Sequence, residues 1–478
     1  MDVNALHTYR ANLEDDQTNL YLGSVNNFLF DVITGRACQL PRPGDIELIL
    51  AGSPCQGFSN ANPTGRDTVK SLANAGLVCA TLTAIEVYRP KYAILENVTA
   101  MAQTHESGRV GQPFNVANQI MCALIGMGYQ CRAFILDAWH FGAPQDRIRL
   151  FIEIAAPGCT LPGIPPGSHA HPLYAKGRSV GKTSANVKFA SRDLDLLTSF
   201  PPVELRDSWD DLPSLGNGHL GVCIPYPDHK VPWTMNARDR GIAALIPASD
   251  SVFRHPDYKY ALRLGLVPQH LKLPTSRNEN SRRFQRLAAD RNVPTVTCSM
   301  NPISEICGRT LHYRENRPFS ILEAKRLQGF LDTDVLVGKP RMAIKIIGNS
   351  VCRQVAFALG EKLAEAVGSG HMESGAEVPV NDGLKTEEKL DFTNMKREIS
   401  TPRSRRFMVM IEQKSSRQGI VANTKVQKVS TDKDKVSDDT TVNLTGAEKN
   451  DKLGISVISS PRKKSLRIQL DNTRDQDM

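Results

Sequence analysis

Hydrophobic and polar positions follow two alternating periods along the first 156 residues. Ala5, Leu6, Tyr9 and Leu13 recur at helical spacing and predict a short amphipathic helix over residues 2–13. Tyr21-Leu22-Gly23 reads as a brief strand. Ile46-Glu47-Leu48-Ile49-Leu50-Ala51 is an apolar run that predicts a buried strand. Gly52, Pro54 and Gly57 then break the pattern, which puts Cys55 on a tight loop at the carboxyl end of that strand. A polar loop to about Val69 leads into a helix of about twenty residues that stops at Arg89-Pro90. Tyr92-Ala93-Ile94-Leu95 predicts a strand that delivers Glu96, and Val116 to Met127 a helix ending at Gly128. Two further strands are expected over 131–137 and 148–154, joined by a loop carrying Gln145 to Arg147. Strands alternating with helices predict an α/β fold with a doubly wound, mostly parallel, Rossmann-like sheet.

After Pro157 the periods fade. Residues 157–291 are rich in Pro, Gly and Ser, hold Trp209 and Trp233, and predict a smaller irregular domain. Residues 292–368 return to regular structure in the first domain, ending in an amphipathic helix from Val351 to Val367 with Val355, Leu359 and Leu363 on one face. Residues 369–478 are expected to form a disordered charged tail. From residue 371 on there are 20 Lys and Arg, 17 Asp and Glu and two Phe, with no Trp or Tyr. So little apolar surface does not offset the entropy of ordering that length of chain.

Composition narrows the field. The 478 residues carry a formal net charge of +9 and a pI near 9.0, which suits a polyanionic partner. Ten cysteines without a CxxC pair argue against a zinc site or a disulfide framework, so no metal is expected and a reducing compartment is. No run of 18 or more apolar residues suggests a membrane span, and Met1-Asp2-Val3-Asn4 lacks signal-peptide character. Arg403-Ser404-Arg405-Arg406 and Pro461-Arg462-Lys463-Lys464 read equally well as nuclear import signals or as solvated tail.

A single cysteine on a loop is more often structural than reactive. Here five stretches occur in order: Gly52-Ser53-Pro54-Cys55-Gln56-Gly57-Phe58-Ser59, Glu96-Asn97-Val98, Gln145-Asp146-Arg147-Ile148-Arg149, Arg317 through Gln328-Gly329-Phe330, and Gly348-Asn349-Ser350-Val351. Together they resemble the 5-cytosine DNA methyltransferases over roughly residues 1–368. The Ser-Pro-Cys loop, the Gly23-Ser24-Val25-Asn26 segment and the charged tail are most similar to fungal members linked to premeiotic methylation and repeat-induced mutation.

The resemblance implies a chemistry that suits these residues. Cytosine carbon 5 becomes reactive once a nucleophile adds to carbon 6, and a cysteine thiolate is the strongest common protein nucleophile. Cys55 takes that role by resemblance. Glu96 would give a proton to ring nitrogen 3, Arg149 would contact the exocyclic oxygen, and Arg147 would either join it or brace the Cys55 loop. Asn97 and Val98 would shape the loop and hold the base, with Gln56, Ser59 and Gln145 also on the substrate. The base must leave the duplex to be reached, so double-stranded DNA is the implied partner and the nucleus the implied location. Residues 157–291 occupy the place of the family's target-recognition domain, and Arg277, Arg282, Arg283, Arg286 and Arg291 are candidates for phosphate contact. Singly, each reads as well as part of a solvated charged surface.

S-adenosylmethionine is the implied methyl donor, and here the sequence departs from the family. The opening aromatic-and-glycine loop and the ribose-binding acid have no counterpart, and Asp2 to Asn12 matches the helix that follows that acid. Pro54 and Asn349-Ser350-Val351 remain for the cofactor. The first strands of the sheet are therefore expected to be missing, the strand before Cys55 to be unpaired on one side, and cofactor binding to be weak or absent. A non-catalytic DNA-binding or chromatin scaffold retaining the catalytic loops is the alternative reading.

Overall fold

The computed structural model describes residues 2–13, 18–36, 39–55, 76–103, 105–106, 113–172, 177, 179–182, 186, 188–190, 198–218, 223, 225–248, 256–274 and 280–369, with two short strands beyond. Helices α1 (Val3–Ala11) and α2 (Val25–Thr34) come first. Strand β1 (Leu48–Gly52), helix α3 (Val78–Tyr88), strand β2 (Tyr92–Asn97) and helix α4 (Val116–Gly126) follow. Strands β3 (Gln130–Asp137), β4 (Gln145–Asp146) and β5 (Ile148–Ala155) complete the first part. Tyr21–Gly23 is not a strand, and α2 is a helix that periodicity did not single out.

The main sheet runs β1-β2-β5-β3. β1 and β2 are parallel, while β5 is antiparallel to both β2 and β3. Three strands thus share a direction, but β5 lies reversed between two of them, so two of the three pairings are antiparallel and the sheet is mixed. The reversal follows from chain length. Ala138 to Arg147 is a short loop rather than a crossover helix, and only antiparallel neighbours can be joined so closely.

Alternation along the strands decides what covers each face. Ala93, Leu95, Ile135, Ile152 and Ile154 pack with α2, α3 and α4. Ile94, Phe134, Leu136 and Phe151 point the other way, onto Val355 and Leu359 of the last long helix (Arg353–Ser369). Helices on both faces make the fold doubly wound. Among the described residues β1 pairs with β2 alone, and Leu50, opposite Ile94, is 51% exposed, so the covering layer stops short of this edge.

A second core joins α5 (Leu205–Trp209) to β6 (Val293–Pro294), α8 (Ile321–Leu327) and α9 (Pro340–Asn349), with α6 (Ala237–Leu245) and α7 (Tyr258–Arg263) in a neighbouring cluster. The helix over Arg353–Ser369, α10, returns to the sheet. By length and composition Pro340–Gly368 could cross a membrane, but it is two helices broken at Ser350-Val351, with apolar side chains in two protein cores. The parts are clipped together. β4 pairs with β6 through Gln145↔Val293, and Asp2 at the start of α1 reaches Lys345 of α9 at 2.6 Å. Beyond residue 369 the structure describes one antiparallel pair, Gly454–Ser459 with Leu466–Asp471; the expectation of a wholly disordered tail therefore does not cover these strands, and the two basic clusters lie outside the described residues.

Candidate active site

The register of β1 against β2 sets Gly52 beside Glu96, at the carboxyl ends of two parallel strands, where open α/β sheets bind ligands. Ser53 and Pro54 are buried immediately beyond, and Cys55 follows as a half-buried free thiol. Asn97, 2% exposed, donates from Nδ2 to the Ser53 carbonyl at 3.2 Å and accepts the Val98 N–H at 2.8 Å. This ties the Cys55 loop to the strand that carries Glu96. Ser53, Glu96 and Asn97 line one narrow crevice with Leu95, Met101 and Leu150. Gln56 and Ser59 lie outside the described residues.

Glu96 meets Arg149 of β5, with Nε 3.0 Å from Oε1 and both side chains partly open to solvent. The contact is a single one, and the Arg149 Nη1 donates to the carbonyl of Ile148. The pair presents a carboxyl and a guanidinium side by side beyond the Cys55 loop.

Arg147 does something else. It is 4% exposed, and its guanidinium donates to the carbonyls of Val296 at 3.1 Å, Gly348 at 3.2 Å and Ser350 at 2.7 Å, while its own N–H goes to Asp137. Burial, and then the like charge of Arg149, lower its pKa to about 9 against the opposing pull of Glu96. Its described partners lie in the turn after α9 and at Val296 rather than in the Cys55 loop. Gln145 is no substrate ligand. It is fully buried, donates to Leu327 and Gln328, and accepts the Val296 N–H.

The remaining expected positions divide in the same way. Ser350 accepts from Gln328 and donates to Ile347, Asn349 accepts the Cys298 thiol at 2.7 Å, and Val351 packs on the α10 side of the sheet. A Cβ on Gly348 would sit 2.5 Å from Thr297 backbone, so glycine is needed for this close approach. Gly348 to Val351 build a joint, in which the Ser350 hydroxyl and carbonyl and the Asn349 Oδ1 already have partners. They do not form a cradle for S-adenosylmethionine among the described residues. Of the arginines, Arg282 is exposed, whereas Arg283 pairs with Glu305 at 2.7 Å. Arg286 is fully buried, donating to His312, Glu315, Ala243, Ile246 and Asn316, so it cannot contact phosphate. Arg277 lies outside the described residues. Sequence reasoning missed Asp137, Val296 and Cys298, whose roles depend on backbone atoms or on partners distant in sequence.

Comparison with known proteins assigns the class. The family model for C-5 cytosine-specific DNA methylases matches residues 1–158 and 251–365, and the chain belongs to that family. DNA (cytosine-5)-methyltransferase 1B of Oryza sativa subsp. japonica is 32% identical over 355 residues, covering 69% of this chain and 22% of that protein. DNA (cytosine-5)-methyltransferase 3 of Arabidopsis thaliana is 30% identical over 347 residues, covering 69% and 24%. The chain therefore spans about a quarter or less of the length of these relatives.

Proposed function

We propose that this chain acts on cytosine in double-stranded DNA as a DNA (cytosine-5)-methyltransferase. The observation that carries the reading is the Glu96–Arg149 pair at the end of β2, bound through Asn97 to the loop of Cys55. In this reading the Cys55 thiolate adds to carbon 6 of a flipped-out cytosine, and the ring's electron pair shifts toward carbon 5 and nitrogen 3. Glu96 donates a proton at nitrogen 3, and Arg149 both holds Glu96 and offers N–H donors to the ring oxygen. Bound S-adenosylmethionine would supply the methyl group to carbon 5; loss of the carbon 5 proton to water, return of the nitrogen 3 proton to Glu96 and departure of the sulfur then restore the ring and the Cys55 thiolate. The described residues supply the nucleophile, the acid and the orienting cation; S-adenosylmethionine is the methyl donor this reading calls for, and no cradle for it is formed by them.

Residues 157–291 serve as the target-recognition part, with exposed Arg282 on the phosphates, and the enzyme works in the nucleus. The Ser-Pro-Cys loop and Gly23-Ser24-Val25-Asn26 favour the fungal premeiotic group. Duplex DNA incubated with millimolar labelled S-adenosylmethionine should yield 5-methylcytosine with the unaltered chain and none with Cys55→Ser. DNA binding with no product from either chain would instead establish the scaffold reading.

A further inference from the structure

Away from Cys55, a cavity of about 340 Å³ opens between the N-terminus of α6, the segment 298–303 and α9. Its size is at the lower end for small-molecule sites. Trp233, Met300 and Ile344 give it apolar walls, and Asn301, Asp239 and Arg341 give it polar ones. Cys298, which lines it, bonds Asn349 of the joint to which Arg147 donates.

Asp239 is the unusual member. It is 9% exposed, yet its carboxylate accepts no hydrogen bond from a described residue. It stands in the third position of α6, where an acid commonly turns back to the N–H of the capping residue. Asp207 of α5 and Glu323 of α8 do turn back in that way. In α6 the Asn236 cap bonds the Asp239 N–H, and Asp239 lines the cavity. Arg341 makes no ion pair with a described residue and is exposed at the same opening. An acceptor and a donor flanking an indole match the edge and face of one kind of ligand, a planar heterocycle bearing both an exocyclic amine and a ring acceptor.

We propose that this cavity binds an unstacked nucleobase with an exocyclic amino group, stacked on Trp233 and bonded through its amine to Asp239. The inference rests on the DNA reading for its choice of ligand, and it makes the cavity a reader of sequence beside the target cytosine. Base–aromatic stacking supplies affinity, and an amine-to-carboxylate bond separates amino bases from thymine.

Trp139 and Trp209 are each 2% exposed, so quenching of the full chain's fluorescence by nucleotides reports on Trp233. Deoxycytidine, deoxyadenosine and deoxyguanosine monophosphates should quench with at least about fivefold higher affinity than thymidine monophosphate, the lower end of discrimination by one good base-edge contact. Asp239→Asn should remove that preference, and Ile344→Phe, which narrows the cavity without adding a fluorophore, should weaken binding. Equal affinity for all four, absence of quenching, or quenching by butylammonium in place of nucleotides would overturn the proposal. If the nucleotide preferences hold while no 5-methylcytosine forms, the catalytic reading fails and the base pocket stands.

Discussion

Two glutamate–arginine pairs use the same side chains for opposite ends. At the N-terminus of α8, Arg317 grips both oxygens of Glu323 at 2.9 and 2.8 Å, each residue is 1% exposed, and Glu323 also closes a capping box with Ser320. Burial alone would raise the Glu323 pKa, but Arg317 outweighs it and brings the value down to about 2. At the end of β2, Glu96 and Arg149 share one contact and stay partly open. The first carboxylate is held permanently ionised, which makes a brace. The second stays partly open at the end of β2, as the proton donor proposed above requires. What separates structure from chemistry here is the number of partners, not the residue types.

Glu96→Gln should sharpen the contrast most. We expect methyl incorporation to fall by about 10²–10⁴-fold, the usual worth of a positioned general acid, with the unfolding midpoint nearly unchanged. A loss of folding with it would make Glu96 a brace like Glu323. The reciprocal change, Glu323→Ala, leaves Arg317 buried without its main partner and should cost about 3–5 kcal/mol in denaturant unfolding. A change below about 1 kcal/mol would contradict the role assigned to this pair.

A third effect lies in pH. His312 is buried against Glu323, and its Nδ1 accepts the N–H groups of Arg314 and Glu315, so the ring is neutral there. Burial lowers its pKa from 6.5 to about 4 despite the pull of Glu323. The unfolded chain binds this proton more readily, so the stabilisation is complete above pH 6.5 and is lost as pH falls toward 4, about 3 kcal/mol in all. Unfolding measured across that range should show the loss, and His312→Gln should flatten most of it.

How much of this was legible beforehand depended on range. β1, β2, β3 and β5 follow from short apolar runs bounded by Gly, Pro and polar residues over a few neighbouring positions. α2 was legible too, with Ser24 at its start, Val25, Phe28, Leu29 and Val32 at helical spacing and Gly35 at φ +66° after its end, yet it was not among the expected elements. The reversed direction of β5 is not a local property at all. Arg147, Gln145 and Arg286 looked like active-site or phosphate-binding groups because the sequence shows a charge or an amide but not its partners. Those partners are mostly backbone carbonyls, up to 203 residues away in the case of Arg147. Glu96 and Arg149 meet because β2 and β5 are adjacent strands, a neighbourhood that the sequence alone does not show.

The most direct test uses duplex DNA carrying 5-fluorocytosine at the target position, with saturating S-adenosylmethionine, resolved under denaturing conditions. Once carbon 5 carries both a methyl group and fluorine it has no proton to lose, so elimination is blocked and the sulfur–carbon 6 bond persists. The account predicts a DNA–protein conjugate mapped by peptide mass to Cys55, absent in Cys55→Ser and sharply reduced in Glu96→Gln. A conjugate through another cysteine, or undiminished conjugation by Cys55→Ser, would contradict it.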